Sequence, residues 1–306
     1  MKPLVIGSRG SKLALWQARW VEDRLREAGR ETRIEIIKTS GDKITDVALA
    51  QVGAKTGSKG VFTKEIEDAL LDGSIDLAVH SLKDLPTELP EGLMLATVPE
   101  REDPRDALVG FRLADLPEGA RVGTSSLRRA AQLRALRPDL HLGDIRGNVE
   151  TRLRKRDEGQ FDATLLACAG LRRLGLEDRI TEALDPEVMA PAVGQGALGI
   201  ETRDGDEETS AALAPLEHAH TRAATDAERA LLDALGGGCQ VPLGALARVE
   251  GDELHLLAVV AAPDGQMVVR THKHGPLADP VALGQLAAQS LLADGAAALI
   301  AAAELP

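Results

Sequence analysis

The sequence predicts an α/β chain of more than one domain that ends in a smaller α+β domain. Three observations predict it. Short apolar runs alternate with helix-period segments through most of the chain. Its 306 residues exceed what one hydrophobic core usually serves. Beyond Gly236-Gly237-Gly238 the pattern changes to a hairpin signature and one long Ala- and Leu-rich segment.

The elements follow in order. Residues 4–7 read as a strand. From Ser11 the apolar positions Leu13, Trp16, Trp20 and Leu25 share one helical face up to Gly29, and residues 33–38 read as a second strand, a βαβ opening. Residues 63–71 read as a helix and 76–80 as a buried strand, and the alternation predicts a largely parallel sheet. Between Pro99 and Pro104 the apolar period is lost, and a new strand starts at Ala107, which marks a crossing between domains. A second α/β unit has strands at 121–123, 140–145 and 162–167, each followed by a helix, at 126–136, 148–157 and 171–179. Residues 206–235 read as helical. Strands at 253–261 and 266–273 flank Pro263-Asp264-Gly265, and a helix over 280–303 closes the chain.

Composition narrows the function classes. A formal net charge of −12 argues against a nucleic-acid binder, as does an aromatic content of three Phe, two Trp and no Tyr. The charge is uneven: residues 121–179 hold 13 Lys plus Arg against 8 Asp plus Glu, so a local excess of positive charge sits inside an acidic chain. No apolar run approaches the roughly 20 residues of a membrane helix, and the start lacks a signal-peptide core, so a cytoplasmic protein without membrane contact is expected. Two cysteines, Cys168 and Cys239, are too few for a disulfide framework.

Arg128, Arg129, Arg146, Arg152 and Arg173 form the first candidate constellation, because a guanidinium fork pairs with a carboxylate through two parallel hydrogen bonds. Ser125-Ser126 opens a helix beside Arg128 and Arg129, and Gly147-Asn148 does so beside Arg146, so exposed N–H groups reinforce anion binding there. Arg154-Lys155-Arg156 reads as a solvated helix face. Cys239, between glycines and Gln240-Val241-Pro242, reads as a loop thiol; from spacing alone it is either an inert cysteine, the commoner case, or an accessible nucleophile. Cys168, inside an apolar run, reads as a small hydrophobe. Asp84, in His80-Ser81-Leu82-Lys83-Asp84-Leu85-Pro86, lies at the carboxyl end of a strand, where open α/β sheets place ligands; it reads equally as an acid group or as a loop carboxylate paired with Lys83.

Other patterns are set aside. Gly194-Gln195-Gly196-Ala197-Leu198-Gly199 has GxGxxG spacing but leads into a strand, so it is no dinucleotide fingerprint. Lys55 and Lys59 sit among glycines without the order of a phosphate loop. His218 with His220, and His272 with His274, lack a third ligand, so no metal site is expected.

The Asp84 motif, Gly123-Thr124-Ser125-Ser126-Leu127-Arg128-Arg129, Ile145-Arg146-Gly147-Asn148-Val149, Pro191-Ala192-Val193-Gly194-Gln195-Gly196 and Gly237-Gly238-Cys239-Gln240-Val241-Pro242 together resemble porphobilinogen deaminase, in the same order and almost end to end. The resemblance implies a monomeric transferase of tetrapyrrole (heme) biosynthesis that condenses porphobilinogen head to tail, releases ammonia and frees hydroxymethylbilane by hydrolysis. It implies a dipyrromethane cofactor held by a thioether to Cys239. Asp84 would contact pyrrole nitrogens, assist ammonia loss and stabilise the resulting cation. Lys83, Thr124, Ser126, Arg128, Arg129 and Arg146 would hold the cofactor, while Arg9, Ser11, Arg152 and Arg173 would receive substrate.

By the same resemblance two α/β domains like those of periplasmic binding proteins hinge around a cleft. Domain 1 would take residues 1–99 with 196–217, domain 2 residues 100–195, and a small α+β domain 3 residues 218–306 with Cys239. Gln51 departs from the family pattern, where lysine is common, and the loop to Lys59 is longer, which leaves Lys55 as a substitute for that charge. A non-catalytic anion-binding protein of the periplasmic-binding type is the alternative; it would share the arginines but has no use for Cys239.

Overall fold

A computed structural model describes residues 2–39, 63–237 and 241–304. In chain order the described elements are β1 (Leu4–Ser8), α1 (Lys12–Glu27), β2 (Thr32–Ile36), α2 (Lys64–Leu71), β3 (Leu77–Ser81), β4 (Leu93–Thr97), β5 (Asp106–Val109), β6 (Arg121–Gly123), α3 (Leu127–Leu136), β7 (His141–Gly143), α4 (Val149–Asp157), β8 (Ala163–Ala167), α5 (Cys168–Arg173), β9 (Glu182–Ala183), β10 (Leu198–Arg203), α6 (Glu207–Leu213), α7 (Ala219–Ala234), β11 (Leu243–Glu250), β12 (Glu253–Ala261), β13 (Val268–Pro276), α8 (Pro280–Ala293) and α9 (Ala296–Glu304). They divide into two compact units, one made of residues 1–102 and 197–222, the other of 103–196 and 223–306.

The first unit carries a five-stranded sheet in the order β2-β1-β3-β10-β4. The apolar face of α1 explains its packing: Ala18, Val21 and Leu25 bury against Ile6, Leu77 and Val79. On the other face Ile66 and Leu70 of α2 pack with Val5 and Ala78, as the alternating direction of strand side chains requires. β1 pairs in parallel with β2 and β3. β10, arriving from far along the chain, runs antiparallel between β3 and β4.

The second unit carries another five-stranded sheet, β7-β6-β8-β5-β9, and a three-stranded one, β11-β12-β13. Here β6 is parallel to β7 and β8, while β5 runs antiparallel to β8 and β9. The two sheets have separate cores: Leu108, Val122, Leu133 and Leu165 fill one, whereas Leu231, Leu256, Val260, Leu283 and Leu291 fill the other. β11, β12 and β13 form an antiparallel meander, with α8 and α9 against it.

The class is therefore mixed α/β with a small C-terminal sheet, and several details correct the sequence reading. The sheets are mixed rather than largely parallel, because β10 and β5 enter them in reverse. The strand read from Ala107 starts at Asp106. The helix expected over 171–179 is α5, already ended by Arg173, followed by a 3-10 turn at Glu177–Arg179. The helical stretch 206–235 is two helices separated by a 3-10 turn that holds Pro215; proline lacks the N–H a continuous helix needs. The closing helix breaks at Gly295, which has φ 95°, a left-handed conformation glycine adopts without strain. No single helix among the described residues is long and apolar enough to cross a membrane.

Gly284 sets α8 directly against α7: a Cβ there would collide with the carbonyl of Ala227 and meet Ala230 Cβ at 2.8 Å. Gly284→Ala is expected to force the helices apart and cost about 1–3 kcal/mol, read as a lower midpoint in urea denaturation followed by circular dichroism.

Candidate active site

Parallel neighbours end at one sheet edge, so residues that follow parallel strands collect there. In the first unit β1 ends into Arg9 and Ser11, and β3 ends into a 3-10 turn, Leu82–Asp84. Ser11 caps α1, its hydroxyl accepting from Ala14 N at 3.2 Å, which fits the helix start expected there. Leu82 N donates to Ala197 O at 3.0 Å, which fixes the turn to the segment leading into β10. Arg9, Ser11, Gln17, His80, Ser81 and Asp84 line one pocket. Gln17 Nε2 donates to Ser81 Oγ at 2.8 Å across it. Asp84 is exposed and Lys83 half-buried.

In the second unit the corresponding edge follows β6, β7 and β8. Thr124 and Ser126 come after β6; the Thr124 hydroxyl accepts from Ser126 N, and the Ser126 hydroxyl caps α3 by accepting from Arg129 N. After β7, Arg146 Nε donates to Asp144 Oδ2 at 2.7 Å. Gly147, with φ 110°, makes the turn into α4, and Arg152 Nε donates back to its carbonyl at 2.8 Å. After β8, Arg173 lies buried on α5 and its Nη2 donates to Gly196 O at 2.6 Å.

Arg128 and Arg129 are both buried, and both turn onto Asp106, the first residue of β5. Arg128 Nη1 donates to Asp106 Oδ2 at 2.7 Å and to Ala190 O at 2.6 Å. Arg129 donates to Asp106 Oδ1 through Nε at 3.0 Å and Nη2 at 2.7 Å, and to Leu165 O through Nη1. Arg128 Nη2 also donates to Asp106 Oδ1 at 3.3 Å, and Gln195 Nε2 adds a fifth contact, 2.9 Å from the same oxygen. Burial pushes the Asp106 carboxyl up, but the two guanidiniums outweigh it and hold the group well below the usual carboxylate range. Burial lowers Arg128, and Arg129 adds to that while Asp106 opposes it. Two guanidiniums against one carboxylate leave a net positive charge that is largely screened from water.

The structure thus brings Thr124, Ser126, Arg128, Arg129, Arg146, Arg152 and Arg173 to one edge of one sheet. Arg9, Ser11, Lys83 and Asp84 come to one edge of the other. Cys239, Lys55, Lys59 and Gln51 lie outside the described residues. Cys168 is fully buried, and burial, then the nearby Asp103, push its thiol up to about 12, so it stays protonated and inert. Gly194 to Gly199 runs into β10 and not into a helix, and among the described residues no cluster could hold a metal ion. Sequence reasoning missed Asp106 and Gln195. The available signal was a lone carboxylate opening the apolar run Ala107-Leu108-Val109, since a charged group there demands a buried partner.

Asp106→Asn is expected to leave two guanidiniums without their counter-charge and to lower stability by about 3–5 kcal/mol at neutral pH, measured by urea denaturation. Because the folded carboxyl is held low, its contribution is complete above the ordinary carboxylate range. It fades as pH falls below about 4, so that part of the acid lability disappears in the variant.

The model of the family described as "Porphobilinogen deaminase, dipyromethane cofactor binding domain" matches residues 4–211, and that described as "Porphobilinogen deaminase, C-terminal domain" matches residues 223–293. A porphobilinogen deaminase of Roseiflexus castenholzii is 56% identical over 303 residues, covering 97% of this chain and 98% of its own. One of Trichlorobacter lovleyi is 54% identical over 303 residues, covering 98% and 96%. A periplasmic substrate-binding protein of an ABC transporter from Coxiella burnetii superposes at a TM-score of 0.43 with 12% identity, over 70% of this chain and 91% of that one, too loosely to bear on the site. With both family models matched in order and relatives this similar over nearly their full lengths, the chain belongs to the porphobilinogen deaminase family.

Proposed function

We propose that this chain is a hydroxymethylbilane synthase: it condenses four porphobilinogen molecules head to tail, releases ammonia at each step, and frees the linear tetrapyrrole by hydrolysis. The observation that carries the reading is the buried pair Arg128 and Arg129 on Asp106. Each porphobilinogen ring brings an acetate and a propionate, and a buried excess of positive charge is stabilised by one more carboxylate.

The same excess is the test of fit for dipyrromethane, whose rings carry those side chains. Lys83, Thr124, Ser126, Arg128, Arg129 and Arg146 would hold its carboxylates, Asp84 its pyrrole nitrogens, and Cys239 its thioether. When bound, the group supplies the ring carbon to which the first porphobilinogen is joined. Thr124 and Ser126 lie at the start of α3, where the positive end of the helix dipole favours an anion. Arg9, Ser11, Arg152 and Arg173 would orient incoming carboxylates. Asp84 provides a fixed negative charge where positive charge develops as ammonia leaves. It is exposed, so its effect grows as substrate rings exclude water around it.

A net charge of −12 supports an enzyme that takes a small anionic substrate at a local basic site and not nucleic acid. The reading is of a cytoplasmic monomer without membrane contact. A non-catalytic anion-binding protein would use the arginines alone, and relatives 52–56% identical over nearly the whole chain do not favour it.

Intact mass spectrometry of the purified protein is expected to show an excess of two linked pyrroles that Cys239→Ser removes; an unmodified, fully active wild type would reject the cofactor assignment. Asp84→Asn is expected to fold normally and lose about 100- to 1000-fold in kcat. Steady-state kinetics with near-native turnover would refute its role.

A further inference from the structure

Beneath the pocket of the first unit lies a group of titratable side chains that the reaction as described leaves unused. Glu67 of α2 is 7% exposed, Glu201 of β10 is fully buried, and His80 of β3 lies among them. Sheet geometry places them together. His80 shares a face of β3 with Ala78, and Ala78 packs on Ile66 and Leu70 of α2. Glu201 stands directly opposite Ala78 in the ladder, and its Oε2 lies 2.9 Å from His80 Nε2. On its other side the pairing with β4 slips by one residue between Ile200 and Glu201, an irregularity of the kind that gathers near functional sites.

Three buried oxygens here have no hydrogen-bond partner: Glu67 Oε1, Glu201 Oε1 and Thr63 Oγ1. A buried acceptor left in that state costs about 1–3 kcal/mol, and two buried carboxylates also repel. A proton on Glu67 relieves both, turning one acceptor into a donor and removing one charge. Burial acts in that direction and raises the Glu67 carboxyl, with Glu201 reinforcing it; the neighbouring Thr63 hydroxyl and His80 oppose it. The cluster is not sealed off, because His80 lines the pocket with Arg9, Ser11, Ser81 and Asp84. Among the described residues, the charged groups on the elements packed about His80 are Glu201 of β10, Glu67 with Glu65 and Asp68 on α2, Arg9 after β1, and Asp84 after β3.

We infer that His80, Glu201 and Glu67 form a proton relay for this pocket. His80 accepts the ring proton shed at each condensation, Glu201 orients the imidazole and balances its charge, and a protonated Glu67 holds the proton shared by the acids. The inference rests on the deaminase reading, since that reaction creates the need. Joining two porphobilinogen rings breaks the C–N bond of one aminomethyl group in its protonated, ammonium form, so that the electron pair leaves with nitrogen as neutral ammonia and a ring-stabilised cation remains. A C–C bond forms to a ring carbon of the other molecule; the C–H pair of that carbon returns to the ring and its proton passes to His80. Transfer of the proton to ammonia yields ammonium and restores the neutral imidazole. A separate acceptor keeps Asp84 ionised throughout, whereas a carboxylate that took the proton would lose the charge that stabilises the next cation.

The experiment uses holoenzyme whose cofactor loading is checked by intact mass. Infrared spectra of the wild type at neutral pH are expected to show the C=O band of a protonated carboxylic acid, removed by Glu67→Gln. His80→Gln is expected to lower kcat about 100-fold, the usual scale of acid–base catalysis, with KM little changed, and Glu67→Gln to displace the pH midpoint of kcat. A band that is absent, or that survives in Glu67→Gln, overturns the protonated Glu67; a native kcat and pH profile in His80→Gln overturns the relay. Should His80→Gln not fold, nitrogen-15 NMR titration of His80 decides: its curve must differ between wild type and Glu67→Gln, and coincident curves overturn the coupling. A wild type without the mass excess strikes at the deaminase reading instead.

Discussion

One carboxylate shared by two buried guanidiniums sets the terms for the second unit. Taking a guanidinium out of water costs several kcal/mol, and a single pairing offsets that only when geometry and further hydrogen bonds are good. Asp106 meets the condition because five segments converge on it and its two partners: the start of β5, the first turn of α3, the carbonyl of Leu165 on β8, the carbonyl of Ala190, and Gln195. The position of α3 relative to its sheet is therefore tied to charge as well as to packing. What remains after pairing is one uncompensated positive charge. A polyanionic oligomer is the kind of ligand that such a centre attracts without rearranging.

The two units solve related problems differently. The second supplies fixed positive charge at a sheet edge, from arginines on three consecutive strand-to-helix turns. The first adds carboxylates to its own cations Arg9 and Lys83: Asp84 at an exposed turn, and Glu67 with Glu201 in its interior. Carboxylates suit a reaction that generates positive charge and sheds protons; guanidiniums suit a chain that accumulates negative charge. The local excess of positive charge visible at residues 121–179 of the sequence falls within the second unit.

Much of this was legible beforehand, and the exceptions have physical reasons. Helix α1 was plain because Leu13, Trp16, Trp20 and Leu25 repeat with helical period, and the β12–β13 hairpin because Pro263-Asp264-Gly265 separates two apolar runs. The direction of β10 was not legible: Leu198-Gly199-Ile200 reads the same whether it enters a sheet parallel or antiparallel, and only tertiary packing decides. The arginines were found because their neighbours open helices, but Asp106 carries no such local mark, and its role exists only once Arg128 and Arg129 fold back over β5. Glu201 likewise looks like an ordinary charge at the end of a strand until β3 brings His80 against it.

The reversed strand also carries a consequence for biosynthesis. β10 completes a sheet whose other strands lie more than a hundred residues earlier, with the α/β sheet of the second unit encoded in between. On the ribosome, at about 5–20 residues per second, the flank of β3 stays uncovered for on the order of 10 s, and His80 has no Glu201 to meet. During that interval the nascent chain presents an open ladder edge to any chaperone or stray strand nearby, so the inserted segment dictates when the amino-terminal half can finish folding.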